Sequence, residues 1–191
     1  MRLLDPMPQA VSAEAYKRAV HILPDDVDDD VLLNGYLRAA QLTVEKATRR
    51  PLLPRDVTLT TRATGWLRWW LPVCPVTAVL DMRWQAADGT WRSLDTAAVR
   101  IEMAHDEPQL IVPDGFFAAV TDGAAIELDA VAGVAGVDHE HPLGQAVILL
   151  VKDWYEAGIA VEKKEFLDVS FGCRALMKQW RYNRPAEFGA D

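Results

Sequence analysis

An α+β fold, a small α-helical bundle with a β-rich insert between its central and late helices and extended termini, is what three features of the sequence predict. The first is the stretch DDVDDDVLLNGYLRAAQLTVEKATRRPLLP, residues 25 to 54. Leu33, Leu37, Ala40, Val44 and Ala47 recur in it at steps of four and three, which places them on one stripe of a helix. The second is a change of period from 3.6 to 2 after Asp56, with β-branched and aromatic residues alternating as far as about Gly133. The third is a return to helical period, where Leu143, Val147, Leu150 and Trp154 repeat the same steps. Two apolar stripes on either side of a β segment are natural partners for one another.

Taken in order, residues 1 to 11 contain Pro6 and Pro8 and read as an extended arm. Ser12 is a suitable cap for a short helix, SAEAYKRAVHIL, closed by Pro24. The central helix runs roughly from Val27 to Arg50. Asp28, Asp29 and Asp30 crowd the positive end of its dipole, Arg49 and Arg50 lie at the negative end, and Pro51 stops it. Gly35, Ala39 and Ala40 are small enough to admit a neighbouring backbone.

In the insert, VTLTT, GWLRWWLPV, VTAVLDMRWQ, VRIEM, PQLIV and AAIELDAV are candidate strands, about six in all, and Ala87-Asp88-Gly89 before TWRSL marks a hairpin. Pro72 and Pro75 cannot donate to a ladder, so Val73-Cys74 is an edge or a crossing between strands. After the late helix, Gly158 is a stop, EKKEF a solvated connection, and a last short helix spans roughly Arg174 to Tyr182.

With 191 residues, half of them apolar, one sizeable core and one domain, residues 1 to 191, are expected. No apolar run approaches the roughly 20 residues that span a bilayer, and MRLLDPMPQAV lacks a signal-peptide core, so a soluble chain made in cytoplasm, with no membrane partner, is expected. Cys74 and Cys173 are too few for a disulfide framework or a four-ligand zinc site and are expected to be free thiols. A net charge of −8 argues against coating nucleic acid.

Chemistry is poorly represented. Asp26, Asp28 and Asp30 alternate as in a calcium loop, but Val31 and Leu37 stand where glycine and glutamate are required, so the run reads as a helix N-terminus. His139-Glu140-His141 lacks a third ligand of suitable spacing and reads as a solvated link, while His21 and His105 read as surface or cap residues. There is no nucleophile elbow and no phosphate-binding glycine loop. The expectation is no catalytic residue, no cofactor and no metal; a small hydrolase or a monomeric binding module are the alternatives to a structural protein.

Trp66, Trp69 and Trp70 fall on both faces of one candidate strand, as though a second subunit covered one of them, and they are the candidates for a subunit interface. Charge changes sign late in the chain. Residues 1 to 169 carry a net −10 and residues 170 to 191 a net +2, with no acid between Ser170 and Ala186. There Arg174, Lys178, Arg181 and Arg184 interleave with Phe171, Leu176, Met177, Trp180, Tyr182 and Phe188, a composition suited to anchoring in a partner.

In this order of parts, the segments VEKATRRPLLP, PVTAVLDMRW with DGTW, and LVKDWYE carry a resemblance to the head-to-tail connector (adaptor, head-completion) proteins of long-tailed bacteriophages and gene transfer agents. It covers most of residues 12 to 182, and the family usually has a glycine near the position of Arg49. The resemblance implies a virion structural protein, assembled in host cytoplasm, in a ring generally of twelve subunits. Such a ring docks under the portal protein, meets a stopper or tail-terminator protein, and lines a channel through which DNA passes without sequence-specific binding. It further implies that Arg174, Lys178, Trp180, Arg181, Tyr182 and Arg184 dock on the portal, and that a chain cut at residue 170 stays folded but fails to attach.

Overall fold

The structure is a computed structural model and describes residues 2–3, 7–23, 25–157 and 170–185; Pro24, Gly158, the EKKEF connection and Phe188 lie outside the described residues. The elements are β1 (Arg2–Leu3), α1 (Ala13–Ala19), α2 (Asp30–Thr48), β2 (Arg55–Arg62), β3 (Arg68–Trp70), β4 (Val76–Gln85), β5 (Trp91–Ser93), β6 (Arg100–Ala104), β7 (Glu107–Ile111), β8 (Ala125–Ala132), α3 (Pro142–Ala157) and α4 (Phe171–Gln179). This is a mixed α+β fold. Its chain divides into two compact units, a helical one within Pro8–Leu53 and Ala135–Arg181 and a β one within Met1–Met7, Pro54–Val134 and the residues from Tyr182 on.

In the helical unit Ser12 caps α1, its Oγ accepting from the Ala15 amide at 3.1 Å. Of the expected stripe on α2, Leu33, Leu37, Ala40 and Val44 are buried and Ala47 only half-buried; Leu143, Ala146, Val147, Leu150 and Val151 are buried on α3, and the two helices pack together. Trp154 is only half-buried and stands edge-on to Tyr36, ring centroids 6.3 Å apart. Gly35 and Ala39 do not admit a neighbour as expected. Both are exposed, and a Cβ on Gly35 would meet nothing within 4 Å, because they lie opposite the buried stripe. The glycine that the packing requires is Gly144 on α3, whose Cβ would fall 1.7 Å from the Asp138 carbonyl oxygen.

Periodicity did not reveal that the buried face of α2 is partly polar. Gln41 is 1% exposed, and Glu45 and Thr48 are buried with it. Glu45 Oε1 accepts from Gln41 Nε2 and from the Leu52 amide, both at 3.0 Å. Gln41 Nε2 also donates to the Pro8 carbonyl at 2.9 Å, and its Oε1 accepts from the Ala10 amide at 3.0 Å. The residues before α1 are therefore strapped to α2 by a side chain that has all its near partners, as a buried amide must. At the helix end Arg49 takes the left-handed conformation, φ 57° and ψ 29°. That is the backbone that glycine adopts most easily at a helix C-terminus.

The β unit holds two antiparallel sheets, one of five strands in the order β1-β2-β8-β4-β5 and one of three in the order β3-β7-β6. The N-terminal arm, expected to be extended, supplies β1, with Arg2 opposite Thr58. Between β3 and β4 the chain changes sheet at Pro72 and Pro75, the crossing expected there, with a cis peptide bond before Pro75. The Ala87-Asp88-Gly89 hairpin joins β4 to β5, Gly89 at φ 82° and Asp88 Oδ1 accepting from the Thr90 amide at 2.9 Å. Alternation along β8 buries Ile126, Leu128, Ala130 and Ala132 against Val57, Leu59, Met82, Trp69, Leu71 and Leu110. On the other face Arg83 grips Glu127 Oε2 through Nε at 2.9 Å and Nη2 at 2.7 Å. That hydrogen-bonded carboxylate, together with Asp129 and Asp81 nearby, raises the Arg83 pKa further.

Leu37 and Leu150 are each 1% exposed in the core of the helical unit, so replacing either by Ala should cost about 2 to 5 kcal/mol in a denaturant titration. A change near zero at both positions would remove the pairing of α2 with α3.

Candidate interaction surface

Three groups of residues carry the expectations about partners. Among the tryptophans, Trp69 is 4% exposed and belongs to the core, so it is not available to another subunit. The reason is local. The strand is only three residues long, Trp69 is its inward residue opposite Leu110, and Trp66 precedes it on a bend rather than alternating with it. Trp66 consequently packs beside Trp69 at 5.8 Å and edge-on to Phe117 at 4.8 Å, half-buried. Trp70 is half-buried with the Arg68 guanidinium 5.7 Å from its ring, and its indole Nε1 has no hydrogen-bond partner among the described residues.

In the C-terminal group α4 starts at Phe171 and ends at Gln179, earlier than expected. Its Cys173 is fully buried, the thiol 3.4 Å from the Ala146 carbonyl. Burial pushes this thiol up to about 11, so it remains protonated and unreactive near neutral pH. Trp180 is used within its own unit: its carbonyl accepts from Arg50 Nε at 2.8 Å, and its ring lies 4.9 Å from His141 and 6.0 Å from the Arg50 guanidinium. Tyr182 is 3% exposed in the β unit and donates its hydroxyl to the Leu71 carbonyl at 3.0 Å. A buried phenol with its hydrogen bond made inside the chain cannot also anchor a partner, so Tyr182 leaves the docking set. Arg184 is half-buried. Removing everything from residue 170 would strip buried Cys173 from the helical unit and buried Tyr182 from the β unit, so such a truncation should cost stability in both units as well as any docking surface.

What remains outward-facing is Phe171, 84% exposed, and a set of basic groups. Arg174, Lys178 and Arg181 are exposed and, with Ala47 and Met177, line a groove of about 270 Å³ within the helical unit. At the other end of α2 the acidic run is divided. Asp30 pairs with Lys17, whose Nζ also donates to the Asp26 carbonyl, and Asp29 accepts from the Tyr155 hydroxyl at 2.7 Å. The carboxylates of Asp25, Asp26 and Asp28 make no hydrogen bond or ion pair among the described residues.

The His139-Glu140-His141 link is more ordered than a solvated connection. Asp138 Oδ1 accepts from the Glu140 and His141 amides at 2.8 and 3.1 Å, which holds its carboxyl below the usual range. His141 Nδ1 accepts from the Leu143 amide at 3.1 Å, so the ring is neutral with its proton on Nε2, and burial lowers its pKa. This is the turn that opens α3. Among the described residues no group of three His, Cys, Asp or Glu could hold a metal, and no helix is long and apolar enough to cross a membrane. His21 and His105 occupy exposed turns at φ 61° and 53°.

Solved structures share this architecture along nearly the whole chain. A chain in the neck of an empty gene transfer agent particle, computed with C6 symmetry, is 25% identical with a TM-score of 0.73, covering 97% of each chain. One in the neck of the native particle, computed with C12 symmetry, is 25% identical with a TM-score of 0.71 and the same 97% coverage of each. A third, in the virion of a native gene transfer agent particle, is 27% identical over 97% of each chain with a TM-score of 0.70. No known sequence family and no curated protein matches the chain.

The assignment of Tyr182 to the core carries a stability test. Tyr182→Phe keeps the ring and removes the hydroxyl, so it should cost about 1 to 2 kcal/mol by leaving the buried Leu71 carbonyl short of a partner. Unchanged stability would return the side chain to the surface.

Proposed function

We propose that this chain is a head-to-tail adaptor of a phage-like particle, a structural component of its neck and not an enzyme. The observation that carries the reading is the likeness over 97% of both chains to neck chains of gene transfer agent particles computed with C6 and C12 symmetry. Both compact units then serve as one connector, in a closed ring, of twelve copies in the fullest form, between the portal protein of the filled head and the stopper or tail terminator.

The surface chemistry supports this role. A net charge of −8 makes a poor ligand for phosphates, which suits a ring around a channel through which DNA must pass without being held. Of the three candidate tryptophans, half-buried Trp66 and Trp70, the latter beside the exposed Arg68 guanidinium, are left for contact with another subunit once Trp69 is assigned to the core.

Particles assembled without this chain should contain filled heads and separate tails that fail to join, as seen by electron microscopy, and adding the purified protein should restore joining. Complete, tailed particles in its absence would contradict the proposal.

A further inference from the structure

Lys17 and Tyr155 hold the loop before α2 in place, yet the loop keeps its own side chains outward. Leu23 is 76% and Val27 60% exposed, and the carboxylates of Asp25, Asp26 and Asp28 surround Val27 without hydrogen-bond or ion-pair partners among the described residues. The loop is thus an apolar tip in an acidic collar. At the far end of the same helix the chemistry is reversed. There the groove has Ala47 and Met177 as its apolar lining and Arg174, Lys178 and Arg181 around it. The Lys178 ammonium and Arg181 guanidinium, too, make no hydrogen bond or ion pair among the described residues.

These two surfaces fit one another in charge and in polarity, but one chain cannot bring them together. The 19 residues of α2 separate them by about 28 Å at a rise of about 1.5 Å per residue. Complementary patches at opposite ends of a rigid element make a heterologous contact, in which each copy offers one patch to the copy before it and the other to the copy after. Repeated with a rotation, such contacts close into a ring.

We propose that the acidic loop around Val27 of one copy seats in the Ala47–Met177 groove of the next, with Asp25, Asp26 and Asp28 against Arg174, Lys178 and Arg181. This rests on the reading of the chain as a ring-forming neck component and names the residues of its subunit contact. Its occupant is a second copy of this chain rather than the portal, because the complementary surface is present on the chain itself. The contact is charge-paired at its rim, so assembly should weaken as salt rises from 0.1 to 1 M, where screening shortens from about 10 to about 3 Å.

The test is a cross-link that geometry forbids within one chain. Full-length protein carrying Val27→Cys and Met177→Cys is oxidised gently, both in concentrated solution and on portal-bearing heads. The native Cys74 and Cys173 are buried and should not react. Two cysteines must come within about 7 Å between Cα atoms to form a disulfide, so any bond between the new pair joins different copies. The expected result is a ladder of covalent multimers, absent from either single variant and reversed by reductant. In parallel, Lys178→Glu with Arg181→Glu should reduce assembly at least tenfold, and adding Asp25→Lys with Asp28→Lys in the same chain should restore it. Assembled protein that gives no ladder overturns the contact while leaving the ring intact. A Met177→Cys chain that links to the portal instead overturns the choice of occupant. Failure of the unmodified chain to assemble in either setting removes the ring reading itself, and the contact with it.

Discussion

The buried carboxylate of Glu45 is the constraint on which the helical unit depends. A carboxyl group buried in a helical seam needs hydrogen bonds in place of its hydration, and among those of Glu45 are one from Gln41 on its own helix and one from the Leu52 amide after the helix has ended. The second of these bonds dictates the turn that follows α2. Gln41, held by Glu45, in turn ties down the backbone at Pro8 and Ala10. Next to this turn Arg50 donates to the Trp180 carbonyl, so the end of α4 is gathered to the same place. Two segments distant in sequence, the residues before α1 and the end of α4, are therefore tied to the C-terminal half of α2 and the turn that follows it.

How much of this was legible in the sequence follows from which forces leave a pattern. Apolar stripes do, so α2, α3 and their pairing could be read from Leu33, Leu37, Leu143 and Leu150. Alternation does as well, and so does the pair of prolines at the sheet crossing. Gln41 and Glu45 could not be read as buried, because a polar residue between apolar ones on a helix is normally a solvent-facing one. The small residues misled in a related way: Gly35 and Ala39 share the helix with a packing stripe but lie opposite it, whereas the necessary glycine, Gly144, answers to a loop whose path only the fold reveals.

The interaction surface was legible as composition and not as orientation. The basic, aromatic character of the last segment is plain, but a sequence cannot say whether an aromatic ring faces out or in. Trp180 and Tyr182 satisfy their own chain and Trp69 fills the β core, whereas Phe171 and the charges of Arg174, Lys178 and Arg181 face outward. The acidic run at the start of α2 shows the same division. Asp30 pairs with Lys17 and Asp29 accepts from the Tyr155 hydroxyl, and the remaining three carboxylates give the helix an outward acidic end opposite to its basic one. Charge separation along a rigid rod of this kind is a directional property, and it gives a chain of modest size the means to distinguish the copy before it from the copy after it.

Imaging of the assembled particle at a resolution that traces side chains tests this account most directly. The account predicts copies of this chain in a closed ring around the axis of the neck, with Asp25 and Asp28 of each copy facing Lys178 and Arg181 of the next. A neck from which the chain is absent, or a ring in which those groups of neighbouring copies stand well apart, would contradict it.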